Sequence, residues 1–173
     1  MRDAAFIAVG VLLVLVQGNL YRFVGPLGLH GITPSLALPL VVFLGVNEHS
    51  LARGGLLAFA LGHAMDLFGG APVGLFTFIY VVLWGLAKVA GVRLTAQARF
   101  ATILLAFLFT LVEGFFVLIL LTIFGADAQR PVEISSVILP HALSTALVSP
   151  LIFRLAQRLH QGVKASRSPE GAA

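Results

Sequence analysis

Few side chains in this sequence are equipped for chemistry, and most of them sit in apolar surroundings. The densest grouping is "GHAMDLFGGAPVGL" at positions 62–75, where His63 and Asp66 stand just before a Gly69-Gly70-Ala71-Pro72 turn. Farther along come Glu113, then His141 with Ser144 and Thr145 close behind it. An imidazole and a carboxylate near a tight turn suit two purposes. They can hold the turn by hydrogen bonding, or they can mark an ion or proton site, as ionisable groups at membrane depth often do. His63 alone is a weak metal ligand candidate, and its role has no assignment from sequence.

Catalytic constellations are missing from the pattern. Ser35, Ser50, Ser135, Ser136, Ser144 and Ser149 lie outside any G-x-S-x-G elbow. Neither a G-x-x-x-x-G-K-[ST] phosphate loop nor H-E-x-x-H occurs, and no two carboxylates are paired for acid–base work. His141 and Ser144 are three apart on one segment, a spacing that helix packing explains better than intramembrane proteolysis. With no cysteine there is no thiolate metal site and no disulfide. The expectation is a non-enzymatic protein with no cofactor and no catalytic or metal site.

The elements that must position these groups follow from the solvent. Of 173 residues, 59% are hydrophobic and 10% charged, and mean hydropathy is +1.03. A water-soluble domain carries about a quarter charged residues, so this chain belongs in a lipid bilayer. Its net charge of +4 is spread among loops and not clustered with aromatics, which argues against nucleic acid as a partner.

Six apolar segments emerge: 4–20, 33–46, 54–68, 73–92, 100–124 and 134–156. Crossing the hydrocarbon core takes about 20 helical residues, which the second and third segments miss. All six are expected to be helical, because lipid gives the backbone no other partner. Thr33-Pro34 reads as an N-cap and first-turn proline, and the 69–72 turn as an antiparallel hairpin. The first segment lacks an A-x-A-like cleavage site and reads as a retained helix. The reading is all-α: a polytopic bundle of six transmembrane helices over 1–158, followed by a disordered cytoplasmic tail at 159–173.

Counting Lys and Arg orients it. One side receives Arg2, Arg53, Lys88, Arg93, Arg99, Arg154, Arg158, Lys164 and Arg167; the other receives Arg22 and Arg130. The nine-to-two split puts both termini in the cytoplasm. Asp66 then lies at the outer end of the third helix, about 18 Å from Gly54. Gly54, Ala58, Gly62 and Asp66 are four apart and share one face, a small-residue seam ending in a charge. That seam reads either as packing with Asp66 capping the turn, or as an ion or proton site.

Glu113 lies about 20 Å into the fifth helix and His141 about 10 Å into the sixth, so antiparallel packing brings them to similar depth. They form a candidate buried polar pair, with Ser144 and Thr145 on the same stretch. The other reading has each residue bonding a backbone carbonyl or facing an aqueous cleft.

"TPSL" at 33–36 and "GLLAFALGHAMDLFGGAPVGL" at 55–75, set in six short-looped helices, resemble the MreD family of rod shape-determining proteins. Pro34, Gly62, Asp66, Gly69, Gly70, Pro72 and Gly74 occupy matching places. Family members often carry Pro-Asp-Leu where this chain has Pro34-Ser35-Leu36, a departure that removes one carboxylate. The resemblance implies a subunit of the cell-elongation machinery that binds MreC. Through MreC it would be linked to MreB, to RodA and to the transpeptidase partner of RodA, supporting peptidoglycan synthesis from the bacterial inner membrane. It also implies a fold similar to the substrate-binding S-components of energy-coupling-factor vitamin transporters, which supply the rival function. In those proteins small residues on the first helix dock a partner, and Ala4 and Ala8 have that spacing. A third class, an ion or proton carrier built around Asp66 and Glu113, needs a continuous polar path that the sequence does not display.

Overall fold

A computed structural model of the chain describes residues 2–24, 33–48, 50–69, 72–90, 99–124 and 131–165. Six helices account for nearly all of them: α1 (Arg2–Val24), α2 (Ala37–Asn47), α3 (Leu51–Gly69), α4 (Leu75–Val89), α5 (Arg99–Phe124) and α6 (Pro131–Ala165). There is no strand among the described residues. Two stretches are long and apolar enough to cross a membrane, Ala101–Ile123 and Ser136–Gln161. Shorter apolar helices cover Ala4–Leu20, Ala37–Asn47 and Leu75–Val89.

The two long helices each carry an exposed apolar face. Leu139, Leu143, Leu147, Leu151 and Leu155 recur every fourth residue along α6 and all are exposed, Leu147 to 78% and Leu151 to 70%. On α5, Leu104, Leu108, Val112, Phe115, Ile119 and Ile123 form a second exposed stripe. Both exposed stripes run along the two helices that are long and apolar enough to cross a membrane, and exposed apolar faces of this extent mark interaction with lipid or with a partner.

At the centre lies α2, only 11 residues and about 17 Å long. It is buried without a break from Ala37 to Gly45 and packs against each of the other five helices. An all-round apolar helix belongs in such a place. Gly45 permits its close crossing with α4: a Cβ there would stand 2.8 Å from the Trp84 carbonyl oxygen and 2.6 Å from the Ala87 Cβ. The central cluster also draws Phe6 and Val14 from α1, Leu57 and Leu61 from α3, Ile79, Tyr80 and Leu83 from α4, and Ile152 and Phe153 from α6.

Two expectations from sequence need correction. Thr33 is not an N-cap and Pro34 does not open a helical turn. Residues 33–35 are non-helical, α2 starts at Ala37, and the cap position is Leu36, which makes no side-chain cap bond. The backbone donors of this segment are taken by side chains of other helices, so the helical pattern starts later. Pro39 then falls in the first turn, where its missing N–H is harmless. The second correction concerns the tail. Helix α6 continues to Ala165 through Pro140 and Pro150, so residues 159–165 are helical. Their support is tertiary: Leu159 packs on the core, and the His160 ring meets Phe43 edge-on at 6.3 Å between centroids.

Candidate functional site

The seam on α3 faces α4. A Cβ on Gly54 would lie 2.7 Å from the Trp84 indole nitrogen, and one on Gly62 would lie 2.6 Å from the Phe76 carbonyl oxygen and the Thr77 Cα. Ala58, fully buried, lies between them. Small residues at this spacing let the α4 backbone come into contact with α3, and that approach delivers the start of α4 to Asp66.

Helix α4 cannot cap itself. Its N-cap is Gly74, at φ 97°, in the left-handed region that glycine enters without strain. Gly74 has no side chain to accept a hydrogen bond. Asp66 takes that role from the neighbouring helix. Its Oδ2 accepts from the Gly74 N–H at 2.9 Å, the Thr77 N–H at 3.2 Å and the Thr77 hydroxyl at 2.5 Å, while Oδ1 accepts from the Phe76 N–H at 2.7 Å. Three orphan donors of the first turn are thereby satisfied by a buried carboxylate at the positive end of the helix dipole. Pro72 closes the turn, its carbonyl accepting from the Leu75 N–H at 3.1 Å. Gly69, at the end of α3, is exposed; Gly70 lies outside the described residues.

His63 is not part of this arrangement. It points outward, its ring stacked on Phe59 with centroids 6.2 Å apart and planes 13° from parallel.

The second polar assembly surrounds Pro34. The non-helical stretch before α2 has no backbone partners of its own, and unsatisfied polar groups in an apolar interior cost several kcal/mol. Three of these groups are met by side chains. The Leu36 N–H donates to Gln17 Oε1 of α1 at 2.8 Å, and the Ser35 N–H to Thr145 Oγ1 of α6 at 2.9 Å. The Thr145 hydroxyl in turn donates to the His141 carbonyl at 2.8 Å, and His141 Nδ1 meets the Thr33 carbonyl at 2.6 Å. Gln17 reaches on to the Met65 sulfur at 3.9 Å, tying α1 to α3 as well. Pro34 has no N–H to satisfy, so it suits the middle of this clamp.

His141 also faces Glu113, with Nε2 and Oε2 3.9 Å apart. The two residues are thus brought together while His141 holds a carbonyl with its other nitrogen, so the two alternatives left open by the sequence coexist. Tyr80 of α4, fully buried, lies near Ser35 and Glu113 and completes the cluster. Yet Tyr80 Oη, Ser35 Oγ and Glu113 Oε2 are buried without closing a hydrogen bond of normal geometry.

Sequence reasoning did not single out Gln17, Tyr80 or the Ser35 and Thr33 backbone. Gln17 carried a usable signal, as an amide inside the first apolar segment. Tyr80 sits among apolar neighbours with nothing to set it apart. Among the described residues no three His, Asp or Glu side chains converge as metal ligands would.

The fold and these two assemblies define a helical protein with two membrane-length helices, whose interior polar groups are gathered at one hairpin and around one short central helix. Comparison with known protein families, curated proteins and solved structures finds no match.

Proposed function

We propose that this chain is a non-enzymatic, multi-pass subunit of the bacterial inner membrane, of the MreD kind. In this reading it binds MreC and, through it, supports MreB, RodA and the RodA transpeptidase partner in peptidoglycan synthesis and rod shape. All six helices lie in the bilayer with both termini cytoplasmic. The short α2 and α4 are accommodated because protein, and not lipid, surrounds much of each.

One observation carries the reading. The two stretches that resemble the family, 33–36 and 55–75, are where polar side chains are committed to backbone groups. Asp66 caps the start of α4 and His141 holds the non-helical stretch before α2, so these polar groups support the fold, as a scaffold without a pocket ligand would use them. Depletion in the native bacterium tests it directly: rod cells round up and MreC no longer co-purifies with the elongation machinery. A small-molecule auxotrophy with normal cell shape would sink the proposal.

A substrate-binding S-component is the second reading, favoured by the unsatisfied Ser35, Tyr80 and Glu113 atoms at the bundle centre. It requires a vitamin that stays with the purified protein and is lost on Glu113→Gln or Tyr80→Phe substitution.

A further inference from the structure

We propose that Glu113 and His141 form a binding site for a single proton, held as an imidazolium beside a carboxylate. The geometry around the imidazole carries this. The Thr33 carbonyl, 2.6 Å from Nδ1, can only accept, so Nδ1 bears a hydrogen. In a neutral ring Nε2 is then a bare lone pair, and it faces the carboxylate oxygen Oε2 at 3.9 Å. Two acceptors would oppose each other in a low-dielectric interior. One proton on Nε2, taken from hydronium in the surrounding water, turns that opposition into an ion pair with no other bond changed.

The orphaned oxygen is the independent observation. Glu113 Oε2 is buried and accepts no hydrogen bond, and an uncompensated carboxylate in such a place costs far more than a neutral polar group. The other polar groups turned toward the pair do not supply the countercharge. From α4 comes the Tyr80 phenol, with Asp66 of α3 within electrostatic range of it. Asp66 is engaged by the first turn of α4. The stretch before α2 contributes the Thr33 carbonyl and Ser35, and α6 adds the uncharged Ser144 and Thr145. The imidazole is the accessible member of the pair: its side chain is 25% exposed, against 5% for Glu113. The proton site holds whichever partner or cargo the bundle serves.

The test uses the full chain in phosphatidylcholine vesicles, with nitrogen-labelled histidine read by solid-state NMR at neutral pH. The His141 signal is the one that His141→Asn removes. In the unsubstituted chain its ring is expected to carry hydrogens on both nitrogens, and Glu113→Gln to return it to the Nδ1–H form alone. A singly protonated ring in the unsubstituted chain, or a doubly protonated ring that survives Glu113→Gln, overturns the proposal. If Glu113→Gln does not fold, the unsubstituted chain decides: with glutamate carboxyl carbons also labelled, a hydrogen on His141 Nε2 is expected to show a through-space contact to the Glu113 carboxyl carbon. A folded chain whose His141 Nε2 bears no hydrogen in contact with that carbon overturns the proposal equally.

Discussion

Asp66 and Thr77 are joined twice: the same carboxylate oxygen accepts the Thr77 backbone N–H at 3.2 Å and its hydroxyl at 2.5 Å. Eleven residues and a helical hairpin separate them. The cap of α4 therefore resides on α3, and forming one helix start requires the other helix to be docked.

Removing that cap should be costly. Asp66→Ala strands three backbone donors of the α4 start. Individual caps are worth about 0.5–2 kcal/mol and buried unpaired groups about 1–3 kcal/mol each. A loss of roughly 3 kcal/mol is expected in denaturant unfolding of the detergent-solubilised protein, with Asp66→Asn milder because one acceptor survives. Equal stability of Asp66→Ala and the parent chain would remove the cap from the account.

Glycine substitutions along the bundle should differ sharply. The Cβ of Gly62→Ala meets α4 backbone at 2.6 Å, and backbone cannot swing aside. Overpacking of this kind costs about 1–3 kcal/mol. Gly85 has nothing within 4 Å of its added Cβ, so Gly85→Ala should be neutral, or more stable by up to about 1 kcal/mol from helix propensity. Melting temperatures of the two variants, measured side by side, check the ordering.

Thr145 serves two backbone groups at once, which Val cannot do despite its matching shape. Thr145→Val should lose about 1–3 kcal/mol, since the Ser35 N–H is left buried and unpaired. Thr145→Ser, which keeps the hydroxyl, should retain most of that. A hydrogen-exchange comparison is the sharper readout: Thr145→Val should speed exchange at Ser35 and Leu36 before it does so in the middle of α2.

Glu113 and His141 should be energetically coupled. In a double-mutant cycle with Glu113→Gln and His141→Asn, contacting residues show interaction energies of about 0.5–3 kcal/mol. Additive effects on unfolding free energy would show that the 3.9 Å approach carries no coupling.

What the sequence determined by itself is the solvent-facing pattern and the elements nearest to it. The segment read as 100–124 is observed as Arg99–Phe124, because an unbroken apolar run of this length is a helix signal written locally in the sequence. Asp66 stood out for a similar reason, as a carboxylate at the edge of a small-residue hairpin whose partners lie 8–11 residues away. The assembly around Pro34 was decided only by the tertiary structure. Leu36 is held by Gln17 across 19 residues, Thr33 by His141 across 108 and Ser35 by Thr145 across 110. Local rules read Thr33-Pro34 as a helix start, and they fail there because the donors that an N-cap would satisfy are answered by side chains from α1 and α6. The end of α6 is a parallel case: composition marks residues 159–165 as polar tail, and contacts of Leu159 and His160 with the core keep them helical. Where a backbone group's partner is distant in sequence, only the packed bundle specifies it.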